Sequence, residues 1–385
     1  MTVMNDVLSG NQVSSAGDIE GCQPFSGSYA AGDVLFLLKR VQIEPVSVAE
    51  KERAIQSGAL HYSEMLSVEK TPDGSYLKLF YQALQQNAEK LGCHLANLCA
   101  TLAADKVNRH GKEVVLVSLA RAGTPIGVLL KRGVEALGHK VSHYSVSIIR
   151  DRGIDWVALD YIRARHADAD IIFVDGWTGK GAITSELHSS VKAYNESRGA
   201  GIVPQLMVVA DLAGCADLAA TSSDYLIPSA VLNSVVSGLV SRTVLSSRYT
   251  GEGEFHACVY YAEKSGEDLS RYFIEEIMPY LLSALEEAES VVWDNDIRRR
   301  LNKRSRDFIA YAMEHYGITD RNHVKPGIGE STRVLLRRIP ERLVLREPQA
   351  PDVQHLVALA AASGVPVETN SELPYRAAAF IKTVD

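Results

Sequence analysis

The chain has 385 residues, which exceeds one ordinary domain and favours two or three. Its 46% apolar and 23% charged residues are typical of a globular protein, and its net charge of −7 argues against a general polyanion-binding surface. The charge is uneven, however, because residues 298–346 carry 13 Lys/Arg against 5 Asp/Glu. This stretch is either a patch for nucleic acid or another anion, or a solvated arginine-rich helix face, and composition leaves both open.

The cysteines indicate free thiols rather than a disulfide or zinc framework. There are five, Cys22, Cys93, Cys99, Cys215 and Cys258. Their number is odd, and neither a CxxC pair nor a zinc-ligand spacing occurs, so a reducing compartment is the simplest interpretation. The N-terminus lacks a signal-peptide pattern, and no apolar run approaches the ~18 residues of a membrane span. We therefore expect a cytoplasmic protein with no membrane partner.

The first third of the chain is expected to be mainly helical after a loosely attached start. Residues 1–32 are rich in Ser, Gly, Asn and Asp, which is typical of a loose segment. An apolar run at 34–43 has strand or short-helix character. In 76–111 apolar residues recur at three- and four-residue steps, which predicts one long helix or two.

From residue 113 onward, apolar strands alternate with helices. The predicted order is strand, helix, strand, strand, helix and strand, at 113–120, 124–138, 139–149, 169–175, 181–197 and 204–214. This alternation predicts an α/β fold whose parallel sheet is covered on both faces. Functional loops in such sheets lie at the carboxyl ends of the strands. We place this core domain at 33–264.

The last part of the chain is expected to form a helical connector, 265–318, and a small separate α/β domain, 319–385. Within the small domain the sequence predicts two strands, a helix, a strand and a final helix. These segments are STRVLLRR, RLVLRE, APDVQHLVALAAASG, PVETN and LPYRAAAFI.

The stretch IIFVDGWTGKGAI, 171–183, is a candidate phosphate-binding corner. It lacks the Walker A spacing, because Val174 stands five residues before Gly179 and Gly181 follows Lys180. What remains is a strand, an acid, a short Gly/Thr/Lys turn and a helix N-terminus, which together suit one phosphate. Asp175 is placed to accept hydrogen bonds from sugar hydroxyls or to meet a metal ion. The alternative is an ordinary strand–turn–helix corner.

This stretch resembles the phosphoribosyl-diphosphate-binding motif of type I phosphoribosyltransferases, and VLVSLARAGTPIG, 115–127, looks like the pyrophosphate loop of the same family. The resemblance implies a type I phosphoribosyltransferase-like fold. It also implies transfer of ribosyl 5-phosphate between diphosphate and a nucleobase-like acceptor, with phosphoribosyl diphosphate or a ribonucleotide as ligand and Mg²⁺ neutralising the diphosphate.

Carried onto this sequence, the resemblance assigns a role to each matching residue. Asp175 and Arg121 would be the catalytic residues, with Asp175 meeting the ribose hydroxyls and the metal indirectly through the ligand. The remaining ligand-binding candidates are Ala122, Gly123, Thr178, Gly179, Lys180, Gly181, Arg150 and Arg152. The two last arginines lie in the loop 148–163, and the alternative for them is surface charge in a mobile loop.

Over about 25–262 the chain looks like one bacterial family encoded in tellurium-resistance and stress operons. Its members are described both as phosphoribosyltransferases and as cysteine protease StiP. The tail of that family resembles a Pelota-type RNA-binding domain, and residues from 326 onward are similar to it. This implies RNA as a partner, with Arg333, Arg337 and Arg338 as candidate contacts. A homodimer is a further expected assembly.

One departure from the transferase pattern bears on activity. The known transferases usually have two adjacent acids, whereas here Gly176 stands in the second position, followed by Trp177. An unreplaced contact of this kind costs roughly 1–3 kcal/mol of binding. A regulator that binds a phosphoribosyl ligand or RNA without turnover is therefore an alternative to the enzyme.

The cysteine-protease alternative needs a cysteine and a histidine close together. Candidates are Cys93 beside His94, and His256 with Cys258. Cys93 and Cys99 lie in a helical pattern with apolar neighbours, where structural thiols are usual. No local signature of a catalytic cysteine is present.

Overall fold

The computed structural model describes residues 23–47, 50, 60–69, 72–104 and 113–382. A six-stranded sheet forms the core, and all of its paired strands run parallel. The order across the sheet is β1-β3-β2-β4-β5-β6. In chain order the strands are β1 (Leu35–Leu37), β2 (Val114–Leu119), β3 (Val141–Val146), β4 (Asp170–Thr178), β5 (Leu206–Asp211) and β6 (Leu218–Thr221). The predicted α/β class and parallel sheet are confirmed.

Both faces of this sheet are apolar and covered by helices. In β4, Ile172 and Val174 pack into one cluster and Ile171 and Phe173 into another, because successive side chains of a strand point to opposite faces. The first face is covered by α1 (Gly74–Leu102), α2 (Gly123–Ala136) and α5 (Ser270–Ala284), and the second by α3 (Trp156–Arg165) and α4 (Ala182–Arg198). Within the described ranges, no helix combines the length and apolar character needed to cross a membrane.

Helices α1 and α5 build most of the layer on the first face. Helix α1 begins where the carboxylate of Asp73 accepts hydrogen bonds from the backbone amides of Ser75 and Tyr76, which satisfies two amides of the first turn. Phe273 and Ile277 of α5 are fully buried in the core cluster that includes α1. The first half of the predicted connector, 265–318, is therefore a structural part of the core.

The predicted loose segment, 1–32, is packed where the structure describes it. The backbones of Phe25 and Phe36 exchange hydrogen bonds of 3.4 and 2.7 Å, and Tyr29 is only 2% exposed. Composition misled the prediction because two aromatic residues are enough to hold this stretch on the sheet. Residues 1–22 lie outside the described residues.

A small second α/β domain follows α6 (Asn295–His315), as predicted. Its elements are β7 (Val324–Pro326), α7 (Ile328–Arg337), β8 (Pro340–Leu345), α8 (Gln354–Ala362), β9 (Val367–Thr369) and β10 (Ala377–Ile381). Its sheet has the order β7-β10-β8-β9. We call residues 319–382 the C-terminal domain.

Two secondary-structure predictions in the C-terminal domain are wrong. Residues 331–337 of the predicted strand STRVLLRR lie in helix α7, whose buried residues follow helical spacing: Ile328, Ser331, Thr332, Val334 and Leu335. The predicted helix LPYRAAAFI contains strand β10, which is buried because it lies between two other strands of the sheet. A short apolar run does not distinguish a central strand from a helix.

Candidate functional site

The two predicted ligand loops lie side by side at the carboxyl edge of the core sheet. Strands β2 and β4 pair in parallel, with Val114 opposite Asp170 and Ser118 opposite Val174. The loop after β2 passes so close to β4 that a Cβ on Gly123 would lie 2.2 Å from the carbonyl oxygen of Val174. Only glycine fits this approach, so Gly123 fixes the spacing between the two loops.

Arg121, the expected diphosphate ligand, is held by the core itself. Its guanidinium forms an ion pair of 2.7 Å with Glu69 and donates to the carbonyl oxygen of Val240 at 3.2 Å. Burial alone would raise the pKa of Glu69, but Arg121 and the backbone amide of Ser234 outweigh it, so the pKa is lowered and the carboxylate stays ionised. A diphosphate would have to compete with Glu69 for this guanidinium.

Strand β4 continues beyond Asp175, which was predicted to end it. The strand runs to Thr178, and Trp177 and Thr178 pair with Ala210 and Asp211 of β5. The Asp175 carboxylate accepts a hydrogen bond of 2.8 Å from the amide of Gly176. Burial raises the pKa of this carboxyl to about 7, because removal from water disfavours the ionised form.

The turn after β4 is short and contains an internal hydrogen bond. It comprises residues 179–181, and α4 begins at Ala182. The amide of Gly181 donates to the hydroxyl of Thr178 at 3.1 Å, and Gly181 has φ +77°, a conformation that suits glycine. Thr184, in the first turn of α4, is 5% exposed and its hydroxyl has no hydrogen-bond partner. Lys180 thus lies directly before the N-terminus of α4, whose first turn contains a buried hydroxyl without a partner.

Lys180 is engaged by the C-terminal domain. Its amine donates to the carbonyl oxygens of Arg321 at 2.8 Å and Val324 at 3.3 Å. Burial and, next, the nearby Lys325 lower its pKa to about 7, because both disfavour the ammonium form. The residue expected to bind a phosphate therefore contacts backbone of another domain.

Glu330 of helix α7 enters the same site. Its carboxylate accepts a hydrogen bond from the indole of Trp177 at 3.3 Å and forms ion pairs with Arg333 at 3.4 Å and Lys325 at 3.9 Å. The guanidinium of Arg333 also lies over the Trp177 ring, 5.4 Å from its centroid. The site is thus built by two domains, whereas the sequence placed it in the core alone.

The arginines expected to contact RNA face the core to different extents. Arg333 belongs to the Glu330 cluster, and the guanidinium of Arg337 donates to the carbonyl oxygens of Val231 and Leu232 at 2.9 and 3.0 Å. Arg338 is exposed, and its charge contributes to lowering the pKa of Lys325. Arg333 and Arg337 were predicted from the Pelota resemblance and its arginine content, which do not reveal that both side chains would contact the core.

The predicted phosphate-contacting loop begins as a two-strand hairpin, Ile148–Ile149 and Gly153–Ile154. Arg150 is exposed, and its charge contributes to lowering the pKa values of both Lys180 and Lys325. Its guanidinium therefore acts electrostatically on the turn at 179–181. Arg152 pairs with Glu64 at 3.4 Å and is half exposed. Of the two arginines, Arg150 is the one that the structure brings to the site.

The described cysteines are not paired with histidines. Among the residues that the structure describes, no cysteine sulfur is hydrogen-bonded to a histidine. His94 faces Tyr225, whose hydroxyl lies 3.1 Å from Nδ1, and burial lowers the His94 pKa to about 4. His256 contacts Ser147, whereas Cys258 is fully buried. Both predicted Cys–His candidates therefore lack the geometry of a dyad.

Three functional candidates escaped the sequence reasoning: Glu69, Lys325 and Glu330. Glu69 lies upstream of the Arg121 loop, and it becomes a candidate only through its contact with Arg121, 52 positions away. Lys325 and Glu330 lie in the C-terminal domain, which was assigned to RNA. Glu330 is one of five acids in the basic stretch 298–346, and nothing in the sequence distinguishes it from the other four.

Comparison with known proteins gives two family matches. Residues 27–278 match the model of the tellurite-like stress resistance cysteine protease StiP family, and residues 303–383 match the Pelota RNA-binding domain. A protein of Acinetobacter baylyi named cysteine protease StiP is 42% identical over 370 residues, which cover 94% of this chain and 95% of that protein.

Among solved structures, a hypoxanthine phosphoribosyltransferase mutant from Trypanosoma cruzi, complexed with the product IMP, is similar to part of the chain. The match covers 49% of this chain and 89% of that chain, with 13% identity and a TM-score of 0.28. A TM-score of 0.28 does not establish a fold or a function shared with this enzyme.

Proposed function

The chain belongs to the StiP family of tellurite-like stress resistance proteins, and from this premise we propose that it is an enzyme whose first candidate activity is peptide hydrolysis by a cysteine thiolate. The observation that carries this proposal is the name of the 42% identical relative, cysteine protease StiP. In such a reaction the sulfur attacks the peptide carbonyl carbon, the amine leaves with a proton, and water cleaves the resulting thioester.

Burial narrows the choice of nucleophile. Burial raises the thiol pKa of Cys99 and Cys258 to about 12 and that of Cys215 to about 11. A thiolate is the reactive form, so these three are poor nucleophiles near neutral pH. Cys93 is exposed, and Cys22 lies outside the described residues. We propose that the nucleophile is one of these two.

Digestion of unfolded proteins and a peptide library tests this activity. We expect cleavage by the wild type, loss of cleavage in Cys22→Ser or Cys93→Ser, and retention in the control Cys215→Ser. Iodoacetamide labelling followed by mass spectrometry reports on burial independently. Full cleavage by the Cys22→Ser, Cys93→Ser double variant would exclude both residues as the nucleophile. Absence of cleavage by the wild type would contradict a protease activity.

A second candidate function is binding and transfer of a ribosyl 5-phosphate group. The observation that favours it is the pair of loops at adjacent strand ends, with Arg333 near Asp175 and with Lys325 and Arg150 near Lys180. Backbone amides of the turn at 179–181 and the start of α4 suit a phosphate. Arg121 and the loop at 122–123 would receive the diphosphate once Glu69 yields.

The transfer would join an acceptor nitrogen to ribose C1 as the bond from C1 to the diphosphate oxygen breaks. The electron pair leaves with the diphosphate, and the acceptor loses a proton. The protein contributes mainly by holding both reactants and by stabilising the departing diphosphate. Asp175 would accept hydrogen bonds from the ribose hydroxyls.

Mg²⁺ remains a prediction of this second function. Within the described ranges, no three His, Cys, Asp or Glu side chains come together as a metal cluster. Asp175 offers one partly buried carboxyl, and a magnesium ion commonly combines one or two carboxylates with substrate phosphates. We therefore expect Mg²⁺ to bind together with the diphosphate, whose oxygens supply most of the metal ligands that do not come from the protein.

Calorimetric titration with phosphoribosyl diphosphate and Mg²⁺ tests the second function. We expect binding by the wild type, at least about tenfold weaker binding by Asp175→Ala because ribose contacts are lost, and unchanged binding by the control Asp307→Asn, whose carboxylate pairs with Lys303 on an exposed surface. Binding that is insensitive to Asp175→Ala would remove Asp175 from the site.

RNA binding stays a proposal for the C-terminal domain, supported by its Pelota match. Because Arg333 and Arg337 contact the core, an RNA would have to meet other basic residues or displace the core. Filter binding of a single-stranded RNA at increasing salt tests it. A steep decline of affinity with salt is expected, and no retention at low salt would exclude RNA.

A further inference from the structure

Cationic groups from both domains converge on a single carboxylate. Glu330 receives the indole N–H of Trp177 and lies within ion-pair distance of Lys325 and Arg333. Lys180 lies next to this group, and its ammonium also lowers the pKa of Glu330. The core contributes Trp177 and Lys180, and the C-terminal domain contributes the rest. We call these five residues the shared cluster.

The shared cluster holds more positive than negative charge. Burial and the nearby Glu330 act in opposite directions on the pKa of Lys325, and the pKa is lowered because burial dominates and neighbouring arginines add to it. Burial also lowers the pKa of Lys180, and the nearby Lys325 adds to this effect. Crowded, partly buried amines of this kind are stabilised by an anion that neutralises them. When Lys180 is protonated, Glu330 alone does not neutralise the two lysines and the arginine of the cluster.

The cluster lies where the turn of the core meets the C-terminal domain. A Cβ on Gly179 would lie 3.3 Å from the carbonyl oxygen of Pro326. The adjoining cavity, lined by Trp177, Gly327 and Glu330 among others, has a volume of about 10 Å³, which suffices for about one water molecule. A larger anion therefore requires Glu330 or the lysines to move.

We propose that the shared cluster is a phosphate-binding site formed by both domains, and that the Glu330 carboxylate occupies the position of the phosphate. The ligand class is a small molecule with a terminal phosphate or diphosphate, held by Lys180, Lys325 and Arg333 after Glu330 turns away. This proposal rests on the second candidate function and extends it, because it makes the C-terminal domain part of the ligand site.

The contacts at the cluster favour a small ligand over RNA. Lys180 and Lys325 are partly buried between the domains, and Asp224 of the core binds the amides of Ile328 and Arg376 at 2.8 Å each. These contacts hold the C-terminal domain on the core around the cluster. A polymer backbone would need an open groove, whereas a terminal phosphate needs only a side-chain movement.

Equilibrium dialysis with radiolabelled inorganic diphosphate, on the full chain, tests the proposal. We expect about tenfold weaker binding in Lys180→Met and in Lys325→Met, because each removes a charge-assisted hydrogen bond. We expect tighter binding, also by about tenfold, in Glu330→Gln, because it removes the competing charge. The matched control is Glu368→Gln, which weakens a partly exposed pair with Arg342 in the same domain and should bind as the wild type. Circular dichroism of each variant confirms folding.

The outcomes separate this proposal from the function on which it rests. Loss of binding in Lys180→Met together with wild-type binding in Lys325→Met and Glu330→Gln would overturn the shared site and leave a core-only ligand site. Absence of binding in the wild type and in Glu330→Gln would overturn both the shared site and the second candidate function. Displacement of the diphosphate by a single-stranded RNA at equal phosphate concentration would overturn the small-ligand assignment.

Discussion

The two loops at the carboxyl edge of the core sheet hold their cations in different ways. Arg121 pairs with Glu69, a carboxylate of the same domain that is only 9% exposed. Lys180 instead donates to backbone carbonyl oxygens of the C-terminal domain. Strong charge pairing fixes the first loop, whereas weaker hydrogen bonds to another domain hold the second.

This difference has a consequence for ligand binding. A ligand at the Arg121 loop must displace a buried carboxylate that keeps its charge. A ligand at the Lys180 turn must displace only neutral carbonyl oxygens and one carboxylate on a neighbouring helix. We therefore expect the Lys180 turn to be the first point of contact for a phosphate, and the Arg121 loop to follow.

The largest expected effect is the loss of stability on removal of Glu69. Glu69→Ala leaves the partly buried Arg121 guanidinium without its carboxylate, which should lower the free energy of unfolding by about 3 kcal/mol. Lys180→Met should cost about 1 kcal/mol or less, because it removes hydrogen bonds and also relieves a desolvated amine. Urea denaturation followed by circular dichroism measures the free energy of unfolding of both variants. Equal losses of stability would contradict the difference between the Arg121 loop and the Lys180 turn.

A second pair of variants compares two glycines at the same edge. Gly123→Ala should lower the free energy of unfolding by about 1–3 kcal/mol, because its Cβ meets the carbonyl oxygen of Val174 at 2.2 Å. Gly176→Ala should change it by less than about 0.5 kcal/mol, because the nearest atom to an added Cβ, the carbonyl oxygen of Ala122, lies 3.9 Å away. Thermal unfolding of both variants tests whether the loop at Gly123 is packed more tightly than the strand at Gly176.

The core was predictable from sequence for a physical reason. Its strands are buried on both faces, so each is a continuous apolar run followed by a helix, and their order along the chain fixes which ends meet. That is why the loops around Arg121 and Asp175 were placed together correctly. The strand end at Asp175 was misjudged because Trp177 and Thr178 pair with β5, and pairing partners are not visible in a single segment.

The C-terminal domain was less predictable because its short elements depend on contacts with the core. Helix α7 was read as a strand, and two of its arginines were assigned to RNA although they contact Trp177 and the carbonyl oxygens of Val231 and Leu232. Nothing in the local sequence indicates that Glu330 will meet Trp177, 153 positions away. Side-chain contacts between domains arise only after both have folded.

A third prediction restores the acid that the transferase pattern would have at position 176. The backbone leaves room for a side chain to start there, because an added Cβ meets no atom closer than 3.9 Å. With Mg²⁺ present, Gly176→Asp should tighten phosphoribosyl diphosphate binding by about fivefold, equivalent to one additional hydrogen bond or metal contact. Without Mg²⁺ the same variant should bind more weakly, because the new carboxylate repels the diphosphate. Calorimetry with and without Mg²⁺ makes the comparison, and an equal response in both conditions would contradict a metal-assisted site.

The smallest expected effect is a proton taken up at Lys180 when a phosphate binds. Its pKa is lowered to about 7 in this structure, so at pH 8 most of the amine is neutral. A bound phosphate dianion favours the ammonium form and raises this pKa, so binding at pH 8 should take up a fraction of one proton, whereas at pH 6 the amine is already charged and uptake there should be near zero. Calorimetry of diphosphate binding in two buffers of different ionisation enthalpy measures the uptake. Lys180→Met should remove most of it, and an unchanged uptake in that variant would assign the proton to Asp175, whose pKa is also about 7.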